Sequence, residues 1–203
     1  MKEYNIPHDK VMYAWYMSHD VCDDLITYFE ESSRKQKGMV GEGIDLSVKK
    51  STDVSLEFNS PLFRDYNEEL QKGINAYEDR YSLLKKESAY DNLNETTNIQ
   101  KYLPGEGFYE LHTERENNPV CIKRIMVYMT YLNDCENAGT EWPYVGVKVP
   151  HAEKGLSLLW SADYPYAHKG LTENVNDIKY LSLIHISEPT RPLYISYAVF
   201  CLK

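Results

Sequence analysis

From Ile99 onward the chain offers only short β-prone runs, each closed off by Gly, Pro, Asn or Asp. That texture restricts the fold more than any other feature of the sequence. The runs are Ile99 to Leu103, Gly107 to His112, Ile122 to Leu132, Gly155 to Trp160 and Ile178 onward. Many short strands with regular turns predict a sandwich or jelly roll. Within Ile122 to Leu132 the apolar alternation is only partial, as expected of a strand buried on both faces.

The first third reads differently, as helices with strand-like interruptions. Ser18 can cap a helix from about His19 to Lys35 that carries Cys22, Leu25, Ile26 and Phe29 on one face. Gly38 to Gly43 breaks it. Ser60 as cap and Pro61 in the first helical position start a second helix. From there Leu62, Tyr66, Leu70, Ile74, Tyr77, Tyr81 and Leu84 recur at steps of three and four, an apolar stripe suited to covering the outside of a sheet. The expected class is α+β. Residues 1–98 form a supporting region of the same domain as a double-sheeted β core at 99–180.

A length of 203 residues with 42 % hydrophobic content fits one domain with a proper core, not a disordered chain. The net charge of −9 is spread along the chain, which argues against a general nucleic-acid partner but does not exclude a local basic groove. No run is long and apolar enough to span a membrane, and Met1 to Met17 mixes charges, His8 and tyrosines instead of forming a leader. A soluble, cytoplasmic protein is expected. Cys22, Cys121, Cys135 and Cys201 include no CxxC pair, so buried reduced thiols are expected, not a zinc knuckle or a disulfide framework. There is no GxGxxG, P-loop or GxSxG.

The stretch Gln100-Lys-Tyr-Leu-Pro-Gly-Glu-Gly-Phe-Tyr-Glu-Leu-His-Thr-Glu114 is the informative one. On a strand, His112 and Glu114 point to the same side, because side chains repeat every two residues. With a distant second histidine they would make a facial triad that leaves open positions on an iron(II) ion. His-x-Glu alone is weak, since a surface strand carries such pairs by chance. Its surroundings add weight: Tyr102-Leu-Pro-Gly105, Tyr109, Arg124 to Asp134, Ala138-Gly-Thr-Glu-Trp-Pro143, Lys154 to Trp160 and His168-Lys-Gly170 follow in order.

Across roughly Ile99 to Tyr180 this series resembles the prolyl 4-hydroxylase-like iron(II)- and 2-oxoglutarate-dependent dioxygenases, in the form common in bacteriophage and marine metagenomic sequences. The resemblance implies a double-stranded β-helix core, with His112, Glu114 and His168 as catalytic iron ligands. It further implies Lys179 as the cation for the far carboxylate of 2-oxoglutarate, and Tyr109 as the tyrosine supporting that carboxylate. The implied reaction consumes O2 and 2-oxoglutarate, with ascorbate as an optional reductant. It releases succinate and CO2 and hydroxylates a C–H bond on a peptidyl or free amino acid, in the cytoplasm or in a phage-infected host. Most of the family carries Asp at the position of Glu114. Two other readings stay open: the same cofactors acting on a nucleobase or other small molecule, and a jelly-roll binding module without turnover. A Glu114 carboxylate aimed at the same point as both histidines would favour the enzyme.

The remaining candidates have plain explanations. His151 sits in a turn-like stretch, His8 and His19 lie near helix starts, and Trp142 and Trp160 suit the core as well as a pocket wall. Arg124 suits a substrate contact or a structural ion pair. Substrate choice would fall to loops, for which the polar connections 34 to 60 and 86 to 98 are the candidates.

The end of the chain stands apart. Leu181 to Arg191 resembles a translated transposase-type sequencing adapter, and Ile195 to Leu202 the translated flow-cell adapter that follows it, with Pro192, Leu193 and Tyr194 where an index would lie. Residues 181–203 are therefore expected to be a non-native tail, with the final core strand lost or replaced and His185 and Cys201 outside any functional argument.

Overall fold

The computed structural model describes residues 2–4, 11–41, 43–82, 96–117, 119 and 121–187. Its helices follow the apolar stripes. Helix α1, His19–Glu31, buries Cys22, Leu25 and Phe29. It stops short of Lys35 because Ser32 is extended and its hydroxyl accepts the Arg34 backbone N–H. Helix α2, Pro61–Arg80, buries Tyr66, Leu70, Gly73, Ile74 and Tyr77. Neither Ser18 nor Ser60 donates or accepts a side-chain cap hydrogen bond, although Pro61 does open α2. A Cβ at Gly73 would overlap the Trp15 ring, so the glycine lets α2 lie directly on the sheet.

The described strands are β1 (Lys2–Glu3), β2 (Tyr13–Tyr16), β3 (Gln36–Lys37), β4 (Thr52–Leu56), β5 (Thr97–Tyr102), β6 (Arg124–Tyr131), β7 (Thr140–Trp142), β8 (Val147–Val149), β9 (Leu156–Ser161), β10 (Lys169–Gly170) and β11 (Lys179–Ser187). They form an eight-stranded sheet of order β1-β2-β9-β6-β11-β5-β4-β3 and a three-stranded sheet of order β10-β7-β8. Every pairing is antiparallel. The strands of residues 2–56 thus complete the same large sheet as the later ones.

Period-two alternation sorts the large sheet into two faces. Val54, Leu56, Ile99, Tyr128, Leu159 and Ile184 pack under the helices with Leu25, Phe29, Tyr66 and Leu70. Val127, Met129, Tyr131, Leu158, Trp160 and Leu181 face the small sheet and its Trp142, Val147 and Val149. Strand β6 is buried on both sides, as its incomplete alternation predicts. The result is an antiparallel sandwich with helices on its outer face.

Of the two outcomes expected for the last core strand, loss or replacement, loss is not what the structure shows: a strand occupies the position. Strand β11 lies between β5 and β6, with Leu181 opposite both Gln100 and Tyr131. Its Ile184 is fully buried. The adapter-like residues 181–187 therefore fill an inner position of the sheet, because their composition is β-prone and alternates suitably. The remainder of that tail, including Cys201, lies outside the described residues, as does His8. No disulfide joins the described cysteines. Among the described residues, no helix is long and apolar enough to cross a membrane.

Candidate metal centre

His112 and Glu114 do not sit in a regular strand. Their segment is extended but irregular, tied down by isolated bridges between Lys49 and Phe108 and between His112 and His168. The second bridge carries two backbone hydrogen bonds, His112 N–H to His168 O at 3.0 Å and the reverse at 2.8 Å. The two histidines are therefore placed side by side by main-chain pairing, not by strand periodicity.

The Glu114 carboxylate joins them. Its Oε1 lies 3.6 Å from His112 Nε2 and 3.5 Å from His168 Nε2. One ligand atom from each of the three residues falls within 4.8 Å of the others. Each ring is turned by its far nitrogen: His112 Nδ1 lies 3.0 Å from the Glu110 carbonyl and His168 Nδ1 3.1 Å from that of Tyr166. A carbonyl only accepts, so Nδ1–H donates in each ring, which leaves the Nε2 lone pair for a ligand at the common point. Phe108 stacks on His112 with centroids 3.6 Å apart, and Trp142 and Trp160 pack around His168. Both tryptophans are fully buried, so they pack against His168 as part of the core.

Electrostatics favour the ligand forms. Burial lowers the pKa of His168, which keeps the imidazole neutral. Burial alone would raise that of Glu114, but attraction to His185 and the close approach of the His112, His168 and His185 ring nitrogens hold it well below the ordinary carboxylate range. His185, whose Nε2 lies 2.9 Å from Glu114 Oε2, holds the oxygen that faces away from the other histidines. Arg124 donates to the Glu114 backbone carbonyl at 3.0 Å and approaches its carboxylate at 3.7 Å.

The three residues line a cavity of about 370 Å³ that also exposes Lys179, Tyr102, Thr140, Arg124 and His185. Lys179 is buried; its Nζ donates to Ala138 O at 3.1 Å and lies 4.8 Å from the centre of the Tyr102 ring. A Cβ at Gly139 would overlap the Val149 carbonyl, so glycine there lets the chain before β7 settle against the end of β8. That places the Ala138 carbonyl over the lysine.

Tyr109 is not brought to this cavity. Its hydroxyl donates to Gly105 O at 3.0 Å, and the residue lines a neighbouring cavity of about 390 Å³ with Lys169 and Glu173. The tyrosine beside Lys179 is Tyr102, its register partner on β5. A cue for Tyr102 was its place in the quoted motif. For His185 it was the even spacing Lys179, Leu181, Leu183, His185, which puts all four on one face of a strand. His151 pairs with Glu136 at 2.8 Å on the surface, and His19 is exposed at the start of α1. Within the candidate loops, Gln36, Met39, Lys49, Asp53, Ser55 and Asn98 do line the cavity, while 86–95 lie outside the described residues.

No protein-family model matches the sequence, and a search of curated proteins gives no match either. Solved structures do match. The viral collagen prolyl hydroxylase of Paramecium bursaria Chlorella virus 1, solved with 2-oxoglutarate, superposes with a TM-score of 0.64 at 18 % identity, covering 91 % of this chain and 99 % of that one. A Pseudomonas putida prolyl-4-hydroxylase gives 0.65 at 10 % identity, over 88 % and 93 % of the two chains. A Trichoplax adhaerens prolyl hydroxylase, bound to a peptide fragment of a hypoxia-inducible factor degradation domain, gives 0.65 at 12 % identity, over 89 % and 84 %. At these identities the likeness defines the fold: a prolyl 4-hydroxylase-like antiparallel sandwich. The activity has to be argued from the site.

Proposed function

We propose that the chain is an iron(II)- and 2-oxoglutarate-dependent oxygenase, with the sandwich serving as a jelly-roll core, that hydroxylates a C–H bond of a free or peptidyl amino acid. The observation that carries this reading is the convergence of His112 Nε2, His168 Nε2 and Glu114 Oε1 within 4.8 Å, in a cavity that also holds a buried lysine. Two imidazoles and one carboxylate on one side suit iron(II) with open positions. Glu114 meets this need although most of the resembled family carries Asp.

When bound, iron(II) activates O2 and couples the decarboxylation of 2-oxoglutarate to succinate and CO2 with hydroxylation of the substrate. The protein's own residues supply position and charge. Lys179 neutralises the far carboxylate of 2-oxoglutarate, with the Thr140 hydroxyl in the same cavity as a partner, while Tyr102 takes the place expected of Tyr109 beside the lysine through its ring, its O–H being given to Gln100. His185 and Arg124 hold the carboxylate and backbone of Glu114. Phe108, Trp142 and Trp160 keep water from the histidines. We read residues 181–203 as foreign in origin, with 181–187 serving as the core strand.

The test is iron(II)-dependent conversion of 2-oxoglutarate to succinate by the whole chain, with His112→Ala as control. Succinate that requires iron and disappears in the variant is expected. Absence of turnover together with absence of metal and 2-oxoglutarate binding would overturn the assignment.

A further inference from the structure

Apart from the metal centre, the cavity is lined by a row of polar side chains on β4 and β5. On β4 and β5 the cavity-facing positions are Asp53 and Ser55, and Asn98 and Gln100, with Asp53 directly across from Gln100 and Ser55 across from Asn98. Lys49 precedes this row. Backbone hydrogen bonds from Lys50 N–H to Gly107 O and from Tyr109 N–H to Val48 O tie its segment against Phe108, the residue stacked on His112. The lysine is thereby anchored beside the metal ligands.

Lys49 is 4 % exposed and Asp53 3 %, and the two pair at 2.8 Å. Asp53 is well satisfied, accepting also from Ser51 Oγ at 2.6 Å and Asn98 Nδ2 at 2.9 Å. Lys49 is not: of its three N–H donors, the Asp53 bond accounts for one. Gln100 Oε1 accepts from the Tyr102 hydroxyl, which leaves its Nε2 donors toward the cavity. Asn98 uses its Nδ2 on Asp53, which leaves Oδ1 as an acceptor. The approach of Gly38 fits the same arrangement, since a Cβ there would overlap Ser51 Oγ and crowd the end of the lysine side chain. A buried ammonium is costly unless its donors are met. Here the lysine lines a cavity of about 370 Å³.

We propose that Lys49 and Gln100 form a second oxyanion subsite that takes the α-carboxylate of the substrate, with Asn98 Oδ1 accepting from its ammonium group, so that the substrate is a free amino acid. This inference rests on the oxygenase reading. The two cations then divide the acids between them. Lys179 lies against the ring of Tyr102 and serves the co-substrate. Lys49 pairs with Asp53, which lies directly across the strands from Gln100, and serves the substrate. A peptide bond at this place would present one neutral carbonyl where the wall offers an ammonium and an amide.

The test is saturation-transfer NMR on the iron-free whole chain, using the twenty free L-amino acids and their C-terminal amides as probes. The variants are Lys49→Met combined with Asp53→Asn, which removes the pair without stranding a charge, and Gln100→Leu. At least one free amino acid should bind, with its amide and both variants each weaker by about tenfold or more, as loss of a charge-assisted hydrogen bond implies. Failure of every free amino acid to bind would overturn the proposal, as would an amide that binds as well as its acid or variants that bind like the parent chain. Binding without any iron-dependent succinate would keep the subsite and sink the oxygenase; succinate without amino-acid binding would do the reverse.

Discussion

Replacing Lys179 with methionine should make the chain more stable at neutral pH while removing its hold on 2-oxoglutarate. Lys179 is 3 % exposed, and Ala138 O is its hydrogen-bond acceptor. Burial lowers its pKa from 10.5 to about 8. That fall corresponds to about 3 kcal/mol of penalty for keeping the ammonium charged in the fold at pH 7. The sign follows from proton counting. Between pH 8 and 10.5 the unfolded lysine still holds its proton while the folded one releases it, so stability rises with pH through that window. Lys179→Met lifts the penalty and loses one hydrogen bond, for a net gain of about 1–3 kcal/mol at pH 7 that shrinks toward pH 10. The 2-oxoglutarate affinity moves the other way. It should be level up to about pH 8 in the parent chain, then fall about tenfold per pH unit, and drop about a hundredfold in the variant at pH 7. Urea unfolding at pH 7 and 10 reads the first effect, and calorimetric titration with Mn(II) in place of iron(II) reads the second. A variant that is less stable at pH 7, or a parent affinity that stays level to pH 9.5, would refute the assignment of Lys179 as a desolvated cation waiting for a carboxylate.

Three further substitutions probe this cavity and its neighbour. His185→Leu removes the partner of Glu114 Oε2, and Zn(II) affinity measured by competition with a chelating dye should fall about tenfold to a hundredfold; unchanged affinity would mean that the carboxylate is positioned without it. Tyr109→Phe should lose about 1 kcal/mol of stability with its bond to Gly105 and leave 2-oxoglutarate affinity alone, whereas Tyr102→Leu, which removes the ring against Lys179, should weaken that affinity several-fold. The opposite ranking in the same calorimetric titration would return the co-substrate role to Tyr109.

Much of this was legible in the chain, for physical reasons that also explain the gaps. Helix α2 announced itself because Pro61 and five turns of apolar residues satisfy one period. The β core announced itself by its short runs and turn residues. Strand β4 did not: it turns Val54 and Leu56 to the helices but Asp53 and Ser55 to the cavity, so Thr52–Leu56 reads as polar connection. Strands β7 and β8 have three residues each and β10 two, too few to display a period. Tyr-Ala-Trp-Tyr in β2 is buried or nearly so throughout and shows no polar alternation. The three proposed ligands were nominated by motif order, yet the reason first given for pairing His112 with Glu114, strand periodicity, is not the one the structure uses. The His112–His168 bridge brings the second histidine in, and that pairing has no local signature.

The same sorting of faces explains how residues 181–187 can occupy the centre of the sheet. An inner strand between β5 and β6 has to present apolar or small groups under the helices and a second set to the cavity side. Ser182, Ile184 and Ile186 meet the first demand, with Ser182 Oγ within 3.4 Å of Tyr66 Oη and both isoleucines in the helix-facing core. This demand is chemically loose, since many β-prone runs alternate suitably. The cavity face is not loose. There Leu181 and Leu183 flank the space and His185 lands on the free oxygen of Glu114. A run accepted by the sheet for its alternation thus also sets the second partner of a proposed metal ligand. Fold and site therefore respond differently to this strand: an apolar residue at 185 would preserve the sandwich and release Glu114.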